Sequence, residues 1–453
     1  MSDTRTRIGI SAFAVFVFLH QLGSNALRSI GGWPLYLGSA VVLIAVGVVL
    51  FVRLKPANFK WYRVPKPLFT FLLLALLSVT WSAYRFETVL GFLAQLATTV
   101  IAVILASILT WHEVLRTLGT ALRYLLGLSL LFELFVEMVF GEPIFMGFVD
   151  VPDSGKVSKL LYWSRSLLFE GGPIQGVVAN SALLGFLALL GLIVFAIQLR
   201  GGLVRPANGW FWVFVSLGVL ALTRSATVWI ALLVVSCTLL FALWARRAGV
   251  RRAPVYSVGG ILLAGVIAFG IFGRAVWLPL LGKSPDLTGR LEIWSKVTAL
   301  AAEHPWFGWG WVSYWTPWVE PFKSLDQKAG LPVMHAHNAW LDVWLQLGYV
   351  GLAVFTVLVL ITLQRVWCRA IDQPRRGVGA PLPYATSALF PLLVFVALLT
   401  QSLAESRLLV EGGWVLLVLL AVKCRLDYEL PSRFEEPVRV PWSQVPIAHK
   451  TTA

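Results

Sequence analysis

Long apolar runs separated by short polar punctuation recur down the whole of this 453-residue chain. A helix needs roughly 17–25 apolar residues to cross a bilayer. Runs near that length fall at residues 8–27, 35–52, 67–83, 88–110, 121–140, 177–198, 210–222, 225–245, 254–273, 343–364, 385–400 and 411–423, the shortest being 210–222 and 411–423. The pattern predicts about twelve spanning helices. Two polar segments are too long to be plain connectors: 141–176, with Asp150, Asp153, Lys156, Lys159, Arg165 and Glu170, and 274–338. Long loops in a compact domain are usually functional or disordered. The second is too aromatic for disorder, since Trp306, Phe307, Trp309, Trp311, Tyr314, Trp315 and Trp318 crowd together. Within it Leu291, Trp294, Val297 and Leu300 recur at helical spacing, which predicts a helix from Thr288 to Ala302. His304-Pro305 ends it, because the residue before proline is pushed out of the α region. No internal repeat is visible. The chain thus divides into nine helices over 1–273, a long loop over 274–342, three helices over 343–425 and a Pro-rich charged tail over 426–453.

Composition agrees with the pattern. Hydrophobic residues make up 58% and charged residues 13%, against about 25% charge in a soluble domain, and mean hydropathy is +0.79. The expected class is an all-α polytopic membrane protein. The first run is read as a retained helix, since no small-residue cleavage site follows it and Arg28 flanks it. A net charge of +15 could suggest nucleic acid, but its distribution argues otherwise. With the N-terminus inside, 24 of the 37 basic residues fall at cytoplasmic connections and in the tail. Clusters such as Arg246, Arg247, Arg251, Arg252 and Arg365, Arg369, Arg375, Arg376 carry much of that asymmetry. The positive-inside rule then places both termini in the cytoplasm. The excess charge orients the chain and attracts anionic membrane lipids; no nucleic-acid partner is expected. Cys237, Cys368 and Cys424 lie in a helix or at cytoplasmic ends, so no disulfide framework is expected. No metal-ligand spacing of Cys and His is present, and no metal site is expected.

Against this background a few polar residues stand out. His335 and His337 sit in Met334-His335-Ala336-His337-Asn338-Ala339-Trp340-Leu341-Asp342, where the long loop re-enters the membrane. An imidazole there can act as a base near neutral pH, or can simply decorate a loop end. Arg224 lies in a hinge of a few residues between two apolar helices, a costly position that marks substrate paths. It can also snorkel, or pair with Glu133 or Glu137. Arg290 sits where Thr288 could cap a helix, giving an anion-binding arrangement, or it can pair with Asp286 or Glu292. Two such arginines suit a diphosphate, whose oxygens accept bidentate guanidinium bonds. Glu405 and Arg407, in the loop between the last two helices, are substrate contacts or a structural ion pair. The tryptophans suit sugar stacking or an interfacial belt.

Four strings, in this order and spacing, resemble the C-terminal region of the O-antigen ligase and Wzy-type polymerase superfamily. They are Thr288-Gly289-Arg290-Leu291-Glu292-Ile293-Trp294, His304-Pro305-Trp306-Phe307-Gly308-Trp309-Gly310, His335-Ala336-His337-Asn338-Ala339-Trp340-Leu341 and Gln346-Leu347-Gly348-Tyr349-Val350-Gly351. Thr223-Arg224-Ser225-Ala226 resembles that family's arginine hinge, and the His-Ala-His-Asn variant is closest to exopolysaccharide polymerases. The resemblance implies a GT-C-like glycosyltransferase of the bacterial cytoplasmic membrane, with its site on the outer face. It implies transfer of a glycan from undecaprenyl diphosphate to a glycan or lipid acceptor, inverting the anomeric carbon without metal or cofactor. Polymerisation of surface polysaccharide repeats is the first expectation, ligation of finished polymer to a lipid, protein or wall acceptor the second. A flippase for the same lipid-linked glycan is the third. The resemblance makes His337 the general base, with His335 within reach as the alternative, and Arg224 and Arg290 the diphosphate ligands; His335, Asn338, Glu405 and Arg407 are read as further substrate contacts.

Overall fold

The computed structural model describes residues 2–56, 59–149, 158, 161–272, 290–328, 331–374 and 382–427. Among these, strands are confined to two small hairpins, β1 (Ile144–Phe145) with β2 (Tyr162–Ser164) and β3 (Gln327–Lys328) with β4 (Leu331–Pro332). The rest is built on α1 (Ser2–Leu22), α2 (Ser24–Leu54), α3 (Lys66–Leu77), α4 (Arg85–Ile108), α5 (Trp111–Phe135), α6 (Ser181–Arg200) and α7 (Pro206–Leu222). It continues through α8 (Ala226–Ala248), α9 (Ala253–Phe272), α10 (Arg290–Glu303), α11 (Phe322–Leu325), α12 (Ala339–Ile371), α13 (Phe390–Ser402) and α14 (Glu411–Leu426). The protein is an all-α membrane protein: a helix lies on each of the twelve apolar runs, and five (α2, α4, α6, α8 and α12) are by length and composition apolar enough to cross a membrane. α10 replaces the expected 288–302 helix with nearly the same bounds. Thr288, Asp286, the acidic and basic residues at 150–156, Lys159 and the tail from 428 lie outside the described residues.

Burial sorts the helices into centre and rim. In α6 78% of the apolar window is buried, in α2 only 6%. A helix apolar on every side belongs at a core or in lipid, and here α6, α13 and α14 take the core while α2 faces outward. A second, smaller core gathers Tyr84, Ile293, Val297, Trp315, Phe322 and Leu345, so the long loop is a packed cap over the bundle end.

The sequence pattern missed two breaks. The run 8–27 is interrupted at Gly23, which closes α1 through its N–H to Leu19 O at 2.8 Å and lets α2 start a new direction. α12 is broken at Gly348, whose φ of 65° lies in the left-handed region. The broken turn is filled by the His304–Gly310 segment: Tyr349 N–H bonds Pro305 O at 2.8 Å, Val350 N–H bonds Trp306 O at 3.1 Å, and Trp309 N–H bonds Leu345 O at 3.0 Å. Gly310 N–H bonds Gln346 O at 2.9 Å, and the Gln346 side chain accepts from Val312 and Ser313 N–H. Irregular backbone inside a membrane protein survives only where its polar groups are paired in this way. A Cβ on Gly348 would lie 2.2 Å from the Trp306 backbone, and one on Gly308 2.4 Å from that of Gln346, so two glycine faces meet here. Of the clustered aromatic residues, Trp311 and Trp315 are core residues, while Trp306, Phe307 and Trp318 are exposed.

Candidate active site

Asn338 sets the local geometry. It N-caps α12, its side chain accepting from Trp340 N–H at 2.9 Å and Leu341 N–H at 3.3 Å, and Asp342 lies in the first turn. The buried Asp342 carboxylate reaches back to Ala336 N–H at 3.1 and 3.3 Å, so the His335–His337 loop is folded over its own helix start. α10 fixes the loop from the other side, through Trp294 Nε1–H to Ala336 O at 2.9 Å. Held between these ties, His337 adopts a left-handed backbone with φ 50°. Strain of this kind costs about 1–3 kcal/mol and clusters at functional sites.

The charged partners are not those nearest in sequence. Arg290 pairs with Glu405, Nη2 to Oε1 at 2.9 Å, while Glu292 pairs with Lys296. The other oxygen of Glu405 accepts from His337 Nδ1 at 3.2 Å. Glu405 and Arg407 therefore do not form the ion pair that their proximity suggests: Arg407 instead approaches Glu411, 3.6 Å away. Burial alone would raise the Glu405 carboxyl. The hydrogen bond from His337, with the nearby imidazoles and Arg290, outweighs it and holds that carboxyl at about 2. His335 accepts the His337 N–H on Nδ1 at 3.1 Å, and its ring lies 4.1 Å from that of His337. Burial, then the nearby His337, Arg407 and Arg290, push His335 down to about 3, so it is neutral. Tyr314 stands 6.1 Å beyond it, its hydroxyl pushed up to about 12 by burial and the Glu411 charge.

Three residues of this region were not singled out by sequence: Arg28, Ser24 and Glu411. Arg28 bonds Glu411 at 3.0 Å, Ser24 donates to the same carboxylate at 2.8 Å, and the rings of Trp33 and Tyr36 flank the guanidinium at 5.1 Å each. The available signal was a charge at each edge of an apolar run; their separation of 383 positions hid the pairing. Arg224 is not part of the cluster's bonding. It is exposed on the α7–α8 hinge, with φ 48°, and its guanidinium donates to Glu170 O at 3.2 Å. Glu133 and Glu137 are engaged elsewhere, with Ser164, Gln175 and Gly176 and with Ser166 and Phe169.

His335, His337 and Glu405 bring one ligand atom each within 4.8 Å, a spacing that could hold a cation. The donor set does not favour one, because Arg290 already neutralises one oxygen of Glu405 and His337 donates to the other. What the cluster offers is an imidazole side chain 28% exposed, backed by an ionised carboxylate, beside a guanidinium side chain 24% exposed.

Comparison with known families matches residues 211–356 to the family Wzy_C, described as O-Antigen ligase. That stretch includes Arg224, Arg290, His335, His337 and Asn338 and bears out the resemblance of the motifs; Glu405 and Arg407 lie beyond it. No curated protein matches the chain at a significant level.

Proposed function

We propose that this chain, which carries the O-antigen ligase domain of the Wzy type, polymerises surface polysaccharide repeats at the outer face of the bacterial cytoplasmic membrane. Its donor is an undecaprenyl-diphosphate-linked glycan and its acceptor a sugar hydroxyl. The observation that carries the reading is His337, strained and half-buried at the head of α12, with Arg290 one carboxylate away, both of them within the residues that the domain match covers.

The chemistry asked of these residues is modest. His337 takes the acceptor proton as the acceptor oxygen attacks the anomeric carbon from the face opposite the diphosphate, so configuration inverts. Arg290 and Arg224 stabilise the charge that gathers on the departing diphosphate, and fixed guanidiniums do so without reorganisation. No step calls for a metal. Twelve crossings with both termini cytoplasmic would put all of these groups on one side. Contacts at the opposite bundle end support the arrangement: Arg252 meets Asp372 and Ile371 O, and Arg246 meets Ala370 O and Ala385 O. A flippase needs no catalytic base and carries charge through the middle of several helices, which suits this charge distribution less well.

Polymerase and ligase share the donor chemistry and differ in acceptor. Deleting the gene and sizing the surface glycan separates them. Loss of polymer with single repeat units remaining is the expected result; free lipid-linked polymer accumulating would make the protein a ligase. Transfer in purified protein is expected to survive EDTA, and a reversible loss would overturn the metal-free reaction.

A further inference from the structure

We propose that Glu405 is the positioning residue for the base: its carboxylate holds His337 in the tautomer protonated on Nδ1, leaving the Nε2 lone pair for the acceptor. The inference rests on the reading of His337 as the base. An ionised carboxylate can only accept hydrogen bonds, so the proton in the 3.2 Å contact sits on His337 Nδ1. Nε2 then carries the lone pair, which is where a base must carry it.

The pairing is built in by bonds that do not involve the two groups themselves. The 402–406 segment is fastened to the head of α12 by Asn338 N–H to Ser406 Oγ at 3.2 Å, Asn338 Nδ2–H to Leu403 O at 3.4 Å and Trp340 Nε1–H to Ser402 Oγ at 3.1 Å. These place the Glu405 carboxylate, whose side chain is 12% exposed, against the ring whichever substrate is present. His335 does not take the role, because its Nδ1 is spent on the His337 N–H. A neutral His335 wall on the other side leaves Glu405 as the acidic neighbour of the imidazole among the described residues.

In the reaction the acceptor O–H proton moves to Nε2 while the acceptor oxygen bonds to the anomeric carbon. The bond from that carbon to the phosphate oxygen breaks, and its electron pair leaves with the lipid diphosphate. The imidazolium so formed faces the Glu405 carboxylate. Arg290, bonded to the other Glu405 oxygen at 2.9 Å, has further N–H donors for the departing phosphate. One carboxylate thereby links the group that receives the proton to the group that receives the leaving charge.

The test uses the full chain in lipid nanodiscs with ¹⁵N-labelled histidine, the His337→Ala spectrum identifying the resonance. The wild type is expected to show a protonated Nδ1 and an unprotonated Nε2. In Glu405→Ala the two nitrogen signals move toward a mixed population, and Glu405→Asp restores part of the wild-type pattern. Transfer is followed with the polyprenyl-diphosphate glycan extracted from the deletion strain. Glu405→Gln, which keeps the side-chain shape, is expected to lower kcat by about 10²-fold or more without raising donor KM. Combined with His337→Ala it should add little further loss, since residues that act as a unit are not additive. A wild-type His337 protonated on Nε2, a tautomer indifferent to Glu405→Ala, or losses that multiply in the double variant would each overturn the proposal. If His337→Ala itself keeps its activity, the base reading fails, and the nitrogen spectra still judge what Glu405 does to the ring.

Discussion

Cations are buried at both ends of this helix bundle, and the two ends treat them differently. At the loop-rich end Arg290, Arg28 and Arg407 are met by carboxylates, Glu405 and Glu411. At the other end backbone carbonyls take the larger share: Lys423 is held by Leu109 O and Ala106 O, with Asp427 3.5 Å away, and lies over the Trp111 ring at 5.4 Å, Arg246 bonds Ala370 O and Ala385 O, and Arg252 meets Ile371 O as well as Asp372. Backbone carbonyls at helix ends are fixed dipoles that suit a permanent cation. A side-chain carboxylate occupies only part of a guanidinium's fork and leaves further N–H donors that a phosphate can meet. The loop-rich end, in addition, sets the rings of His335 and His337 among its charges. The contrast separates charges that fasten helices from charges that can meet a substrate.

The largest effect that would break this contrast is at His337. His337→Ala should slow glycan transfer about 10²–10⁴-fold in a protein that still folds and binds donor; near-wild-type transfer would remove the reason for treating this end as chemical. Next come the arginines. Arg290→Ala and Arg224→Ala should each lower kcat/KM about 10–100-fold, the weight of a charge-assisted hydrogen bond or two, with donor affinity falling alongside. Lysine at either position should rescue in part, since it keeps the charge but not the fork. Equal behaviour of lysine and alanine would mean that the charge is not used.

At the opposite end, Lys423→Met should leave transfer per folded molecule unchanged and cost about 1–3 kcal/mol of stability through the carbonyls it strands, seen as a lower melting temperature. An altered donor KM would contradict its purely fastening role. The smallest effect concerns pH. His335 is depressed to about 3 by burial and its charged neighbours, so its contribution to stability is complete above the unfolded value near 6.5 and is lost as pH falls toward 3. The wild type should therefore melt progressively earlier from pH 6.5 to 4, and His335→Gln should flatten that slope. Glu405, held at about 2, loses its contribution only below the unfolded value near 4.3, so the two windows overlap only below that pH.

Much of the framework was legible in the chain because a spanning helix leaves a one-dimensional signature. α10 was readable from the period of Leu291, Trp294, Val297 and Leu300, and its end from Pro305. His337 was readable as a candidate because it sits where the long loop re-enters an apolar run, and Arg290 because it sits at the start of a predicted helix. Their partners were not. Arg290 meets Glu405 across 115 positions and Arg28 meets Glu411 across 383, and no periodicity spans such gaps. In the sequence, Asp286 and Glu292 were nearer partners for Arg290, and Glu405 and Arg407 for each other; packing chose otherwise. The break at Gly348 was invisible for a related reason. A glycine within an apolar run looks like any small residue until the chain that fills the gap is in place.

That break also limits how the enzyme can open. The His304–Gly310 segment is threaded into α12 by four backbone hydrogen bonds on either side of two glycines that leave no slack. A flap hinged there would have to tear a transmembrane helix apart to lift. The His304–Gly310 segment is therefore a fixed brace across α12, and any opening for substrate lies in some other wall.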